Sequence, residues 1–106
     1  MEKERITQNE ENNDGGTVHL YYNEDIGYYT AYGLSAFLIT HVVEPVCSFS
    51  PSLQLPVVLV DKNQILELRR SLIKIKHEEK KYYQFNLKNS VGKSGYARWI
   101  KNLKNY

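Results

Sequence analysis

A chain of 106 residues, 42% hydrophobic and 25% charged, is long enough to close one hydrophobic core and too short for two. No apolar run approaches the ~20 residues that span a bilayer, the polar opening Met1-Glu2-Lys3-Glu4-Arg5 is unlike a secretory signal, and the single cysteine excludes an internal disulfide or a multi-cysteine zinc site. These features point to a cytoplasmic protein without membrane contact. The net charge of +2 is unevenly spread: residues 1–16 carry −3, residues 17–68 carry −4 and residues 69–106 carry +9. A third that basic attracts polyanions even on a nearly neutral molecule.

Residues 1–16 have almost no apolar content and end in Asn12-Asn13-Asp14-Gly15-Gly16, so they read as a disordered, flexible leader. Residues 17–106 form the folded domain. Thr17–Tyr22 and Tyr28–Thr30 alternate as two strands around the turn Asn23-Glu24-Asp25-Ile26-Gly27. From Gly33 the period becomes helical through Leu34, Phe37, Leu38 and Val42, and Glu44-Pro45 closes that helix. Val46–Ser50 and Val57–Val60 read as strands buried on both faces, with Cys47 as a buried small hydrophobe. Asp61 and Gln64 make a capping box ahead of an apolar stripe at Ile65, Leu68, Leu72 and Ile75. Lys81–Leu87 alternates as a further strand, Asn89–Gly95 is a loop, and Tyr96, Trp99, Ile100 and Leu103 share one face of a closing helix. The expectation is an α/β domain, order ββαββαβα, with a mixed sheet covered by helices.

Few motifs carry chemistry. Gly92-Lys93-Ser94 suggests a phosphate loop, but that loop needs a glycine where Leu87 stands; a glycine turn explains it better. His19, His41 and His77 lack metal-ligand spacing, adjacent Glu24 and Asp25 are those of a solvated turn, and Ser35 has no evident histidine partner. No metal or cofactor is called for, and the chain reads as a non-enzyme. Rings and cations fit together better, because single-stranded nucleic acid is held by stacked rings and by charges that follow its phosphates. Tyr28 and Tyr29 supply candidate rings, and Arg69, Arg70, Lys74 and Lys76 candidate charges. Against this, several of the tyrosines are expected to pack under helices with only their hydroxyls wet.

The stretch Leu20-Tyr-Tyr-Asn-Glu-Asp-Ile-Gly-Tyr-Tyr-Thr-Ala-Tyr-Gly-Leu-Ser-Ala, followed by Leu55-Pro56-Val57-Val58-Leu59-Val60, resembles the N-terminal mismatch-recognition domain of the MutS family over roughly Thr17–Leu87. The resemblance implies a stand-alone relative of that DNA-binding domain, an accessory protein or part of a mobile element. It places Tyr28 where the family stacks a phenylalanine on a mispaired base. Thr30 stands where the family uses a glutamate, so mismatch reading itself is not expected. Glu24–Tyr32 is also similar to HicB-like antitoxins, which departs at Gly33-Leu34-Ser35-Ala36 and implies an interaction module instead. The expected partner is therefore DNA or RNA, with a protein partner as the alternative.

Overall fold

Three β-hairpins, each followed by a helix, account for most of the chain in the computed structural model, which describes residues 2–79, 81–88 and 92–104. Helix α1 (Glu2–Glu11) leads into β1 (Thr17–Asn23), β2 (Tyr28–Tyr32) and α2 (Gly33–Ile39). Then come β3 (Val46–Ser50), β4 (Leu55–Val60) and α3 (Lys62–Ser71), followed by β5 (Ile73–Glu78), β6 (Tyr82–Asn86) and α4 (Tyr96–Lys104). The result is a single α/β domain built on one six-stranded sheet of order β3-β4-β2-β1-β6-β5. The expected elements occur in the expected order, joined by α1 and β5. No described helix is long and apolar enough to cross a membrane.

Every strand pairing is antiparallel, which corrects the expectation of a mixed sheet. Helices α2 and α3 do link strands of like direction, as a parallel crossover would. In each case, however, hairpin partners lie between the linked strands: β4 separates β2 from β3, and β2, β1 and β6 separate β4 from β5.

Period-two alternation divides the sheet into two faces. Val18, Leu20, Ala31, Val58, Val60, Tyr83 and Phe85 point to one, where Leu38 and Ile39 of α2 and Ile65 and Leu68 of α3 complete the main core. Tyr96 and Trp99 of α4 pack at its edge, around Phe37. His19, Tyr21 and Tyr82 point to the other face, which Ile6 of α1 helps cover. The sheet is thus sandwiched between α1 and the other three helices. The capping box of α3 forms as the sequence predicts: Gln64 N donates to Asp61 Oδ1 at 2.8 Å, and Asp61 N donates to Gln64 Oε1 at 3.0 Å.

Three local expectations are overturned. Residues 2–11 are helical and docked, so the disordered leader is corrected. One isoleucine makes no apolar stripe, and polar contacts hold α1 instead. Asn9 donates to the Tyr21 hydroxyl at 2.8 Å, and the Arg5 guanidinium sits 4.2 Å from the Tyr82 ring centroid. Secondly, Val46–Ser50 lies at an edge of the sheet with Val46 and Cys47 exposed; its apolar run reads like a central strand because composition does not specify strand order. Thirdly, the stripe through Ile75 does not continue α3. The chain turns extended at Leu72, and Ile73-Lys-Ile-Lys-His-Glu becomes the opposite edge strand, with a bulge between Lys74 and Lys76.

Candidate nucleic-acid interface

The β1–β2 hairpin turns at Asn23–Gly27. Asn23 Oδ1 accepts from Asp25 N at 3.0 Å, Asn23 O accepts from Gly27 N at 2.9 Å, and Gly27 takes φ +71°, which a side chain would resist. This turn sets the register Tyr22↔Tyr29 and so sends both rings to the α3 side of the sheet. Their centroids lie 5.1 Å apart at 61°. Tyr29 also meets Tyr83 of β6 edge-on at 5.2 Å, reaching across the intervening strand. His77 of β5, in register with Tyr83, stacks on that ring at 4.0 Å and 6°. Four rings from four strands therefore form a row at one end of the sheet.

The row lines an open cleft of about 330 Å³, with Val60 beside Tyr29 and Lys62 and Glu79 at the rim. Lys62 is the first residue of α3, whose N-terminus is already capped by the Asp61 carboxylate. A phosphate here would be held by the ammonium rather than by the helix end. At 3.6 residues per turn, Arg69 falls within about 20° of Lys62 around α3 and about 10 Å further along it. Arg70 lies on the same exposed side, and Lys74 registers with Phe85 on that face of the sheet. Cations thus run from the cleft down the helix.

The expected site residues divide accordingly. Tyr29, Arg69, Arg70 and Lys74 share one side of the molecule. Tyr28 is 42% exposed but faces the α1 side, because neighbours on a strand point oppositely. Lys76 also lies on the α1 side, registered with Gln84 and paired with Glu78 at 3.7 Å. Thr30, the position where the MutS resemblance places a base-reading group, is buried and donates to the Tyr21 carbonyl at 3.1 Å. Lys62, His77, Tyr22 and Tyr83 join the site without having been singled out for it. Period-two spacing places Tyr22 and Tyr83 on strands, but the helical reading through Ile75 hides β5 and its hairpin with β6, and nothing local brings α3 to their end.

A second polar cluster is internal. Glu10 Oε2 accepts from the Ser35 hydroxyl at 2.6 Å, and Glu10 Oε1 accepts from Ser35 N at 2.9 Å and Asn13 Nδ2 at 3.4 Å. The Ser35 hydroxyl in turn accepts from His19 N at 2.9 Å. Tyr32, the N-cap of α2, offers no side-chain bond of its own, so Glu10 caps this helix from α1. Burial pushes the Glu10 carboxyl up to about 7, while the bonds from Ser35 and Asn13 pull it down. His19, its ring bonded through Nδ1 to the Tyr82 hydroxyl, is driven down to about 4 by burial and by Arg5. Ser35 is wholly enclosed, and its hydroxyl is committed to structure. Among the described residues no group of three or more His, Cys, Asp or Glu is placed to hold a metal ion.

No family model, curated protein or solved structure matches the chain.

Proposed function

We propose that this chain is a small non-catalytic module that binds single-stranded nucleic acid, as an accessory protein, on the face shared by α3 and the aromatic end of the sheet. One observation carries the reading: a ring-lined cleft opens at Lys62, the head of a helical side that continues into Arg69 and Arg70. Rings supply sequence-tolerant stacking and cations supply phosphate contacts. The resemblance of Leu20–Ala36 to the MutS family points to the same class of ligand, although the stacking side chain is Tyr29 in this reading and not Tyr28.

The test compares charges on the two faces. The double substitution R69A/R70A should weaken binding of a fluorescein-labelled 12-nucleotide single strand and reduce the salt slope by about 1.4, at about 0.7 per phosphate contact. K76A, on the opposite face, should leave the slope unchanged. Equal losses in the two proteins would argue for diffuse attraction instead of an interface.

One observation favours a protein partner instead. The edge strand β3, Val-Cys-Ser-Phe-Ser, carries no charge, whereas β5 guards the other edge with Lys74, Lys76, Glu78 and a bulge. A pull-down partner lost on Ser48→Pro, with no nucleic-acid binding by the parent protein, would establish that alternative.

A further inference from the structure

We propose that the ring-lined cleft is a pocket for a single unpaired nucleobase, with the adjoining phosphate on Lys62 and the strand leading away along α3 toward Arg69. The inference rests on the nucleic-acid reading above and adds to it the site and the unit recognised. Four features of the cleft argue for it.

The first is shape. A volume of about 330 Å³ lies at the small end of ligand pockets, suited to one base rather than a stack of several. The β1–β2 turn at Gly27 borders it, so a strand ends or turns away there instead of passing through.

The second is the lining. His77 stacks on Tyr83 at 6° and is itself exposed, so it closes the β5 end of the cleft with the accessible rim of its ring. Tyr22 and Tyr29, on the other side of Tyr83, stand edge-on to their neighbours and offer a base in the cleft apolar ring surface between His77 and Lys62. Tyr21 and Tyr82 pack beneath α1 and Tyr83 is buried in the main core, whereas Tyr22 and Tyr29 are only partly buried and His77 is exposed.

The third is charge placement. Lys62 sits at the rim and Arg69 about 10 Å further along the same side of α3, a span that one or two sugar-phosphate units bridge. A free planar metabolite would use the rings but not Arg69. The fourth is Glu79, also at the rim. A carboxylate there opposes a second phosphate and accepts hydrogen bonds from an exocyclic amine, which favours adenine or cytosine over thymine.

The experiment uses the full chain and two probes of equal charge, an octadeoxyadenylate and an octamer of abasic sugar-phosphates, at low salt. The octadeoxyadenylate should bind about 5- to 150-fold more tightly, the range expected for a stacked base. H77A, a change at an exposed side chain, should remove most of that difference. K62A should weaken both probes and keep the difference. Amide shifts in the unsubstituted protein give a second readout that needs no variant. The octadeoxyadenylate should move Gly27, Lys62, His77 and Tyr83, and the abasic octamer should move Lys62 and Arg69 without His77.

Equal affinity for the two probes would overturn the pocket while leaving the nucleic-acid reading intact. So would a base preference that survives H77A with no shift at His77. Failure of both probes to bind at low salt would overturn the pocket and the function together.

Discussion

Glu10 and His19 make the stability of this fold depend on pH in opposite directions, and substituting Glu10 should reverse the slope. The folded chain holds the Glu10 proton up to about pH 7, whereas an unfolded chain releases it near 4.5. The folded state therefore binds more protons between those values, and stability falls as pH rises through that window. At ~1.4 kcal/mol per pH unit, the full loss approaches ~3 kcal/mol. His19 acts the other way. Its folded pKa is about 4 against 6.5 unfolded, so the unfolded state binds more protons and stability rises with pH over that range. Partial solvent screening trims this gain to ~2 kcal/mol. The two contributions overlap, leaving the parent protein to lose ~1 kcal/mol between pH 4.5 and 7 from this pair. Glu10→Gln keeps an acceptor for Ser35 N and removes the titration. Urea unfolding at half-unit steps from pH 4 to 8 measures both proteins. The parent-minus-variant difference should fall by ~3 kcal/mol across the window, and the variant's own curve should rise where the parent's falls. Parallel curves would show that Glu10 is solvated, and that α1 does not bury its carboxylate against α2.

Gly15 holds φ +95°, and a Cβ there would run into the Gly92 backbone. Gly15→Ala should therefore cost about 2–4 kcal/mol and lower Tm by roughly 10 °C or more in a thermal melt; a change of only about 2 °C would contradict the contact between these two glycine turns. Cys47 lies exposed on β3, with its thiol pushed up by partial burial. It should react fully with a maleimide without denaturant, more slowly than a small free thiol at pH 7, and a requirement for denaturant would place β3 inside the sheet.

Where local pattern decides structure, the sequence was readable. Asp61 and Gln64 announce α3 because a capping box satisfies its own backbone donors within four residues. Tyr82–Asn86 and Thr17–Asn23 announce strands because aromatic and β-branched residues alternate with period two between turn-forming segments. Strand order was not readable, since it is settled by how three hairpins pack. That single unknown turned Val46–Ser50 from an edge into an expected centre and misplaced Cys47. A separate cause, the helical stripe read through Ile75, hides β5 and with it the hairpin in which His77 stacks on Tyr83. Helix α1 was hidden for a different reason. Its docking depends on Arg5, Asn9 and Glu10 meeting partners 12 to 73 residues away, and no periodicity records such contacts. Of the candidate site, residue type alone points to Tyr29, Arg69, Arg70 and Lys74. It points equally to Tyr28 and Lys76, whose place on the other face is decided by strand pairing and by the bulge in β5.

The central claim is that phosphates are neutralised by a short run of cations beside the cleft. Fluorescence anisotropy of the parent protein with a 12-nucleotide single strand, repeated from low to high salt, tests it most directly. Three or four contacts, from Lys62, Arg69, Arg70 and Lys74, predict a linear log–log plot with a slope of about −2 to −3. No binding at the lowest salt, or binding that does not change with salt, would contradict it.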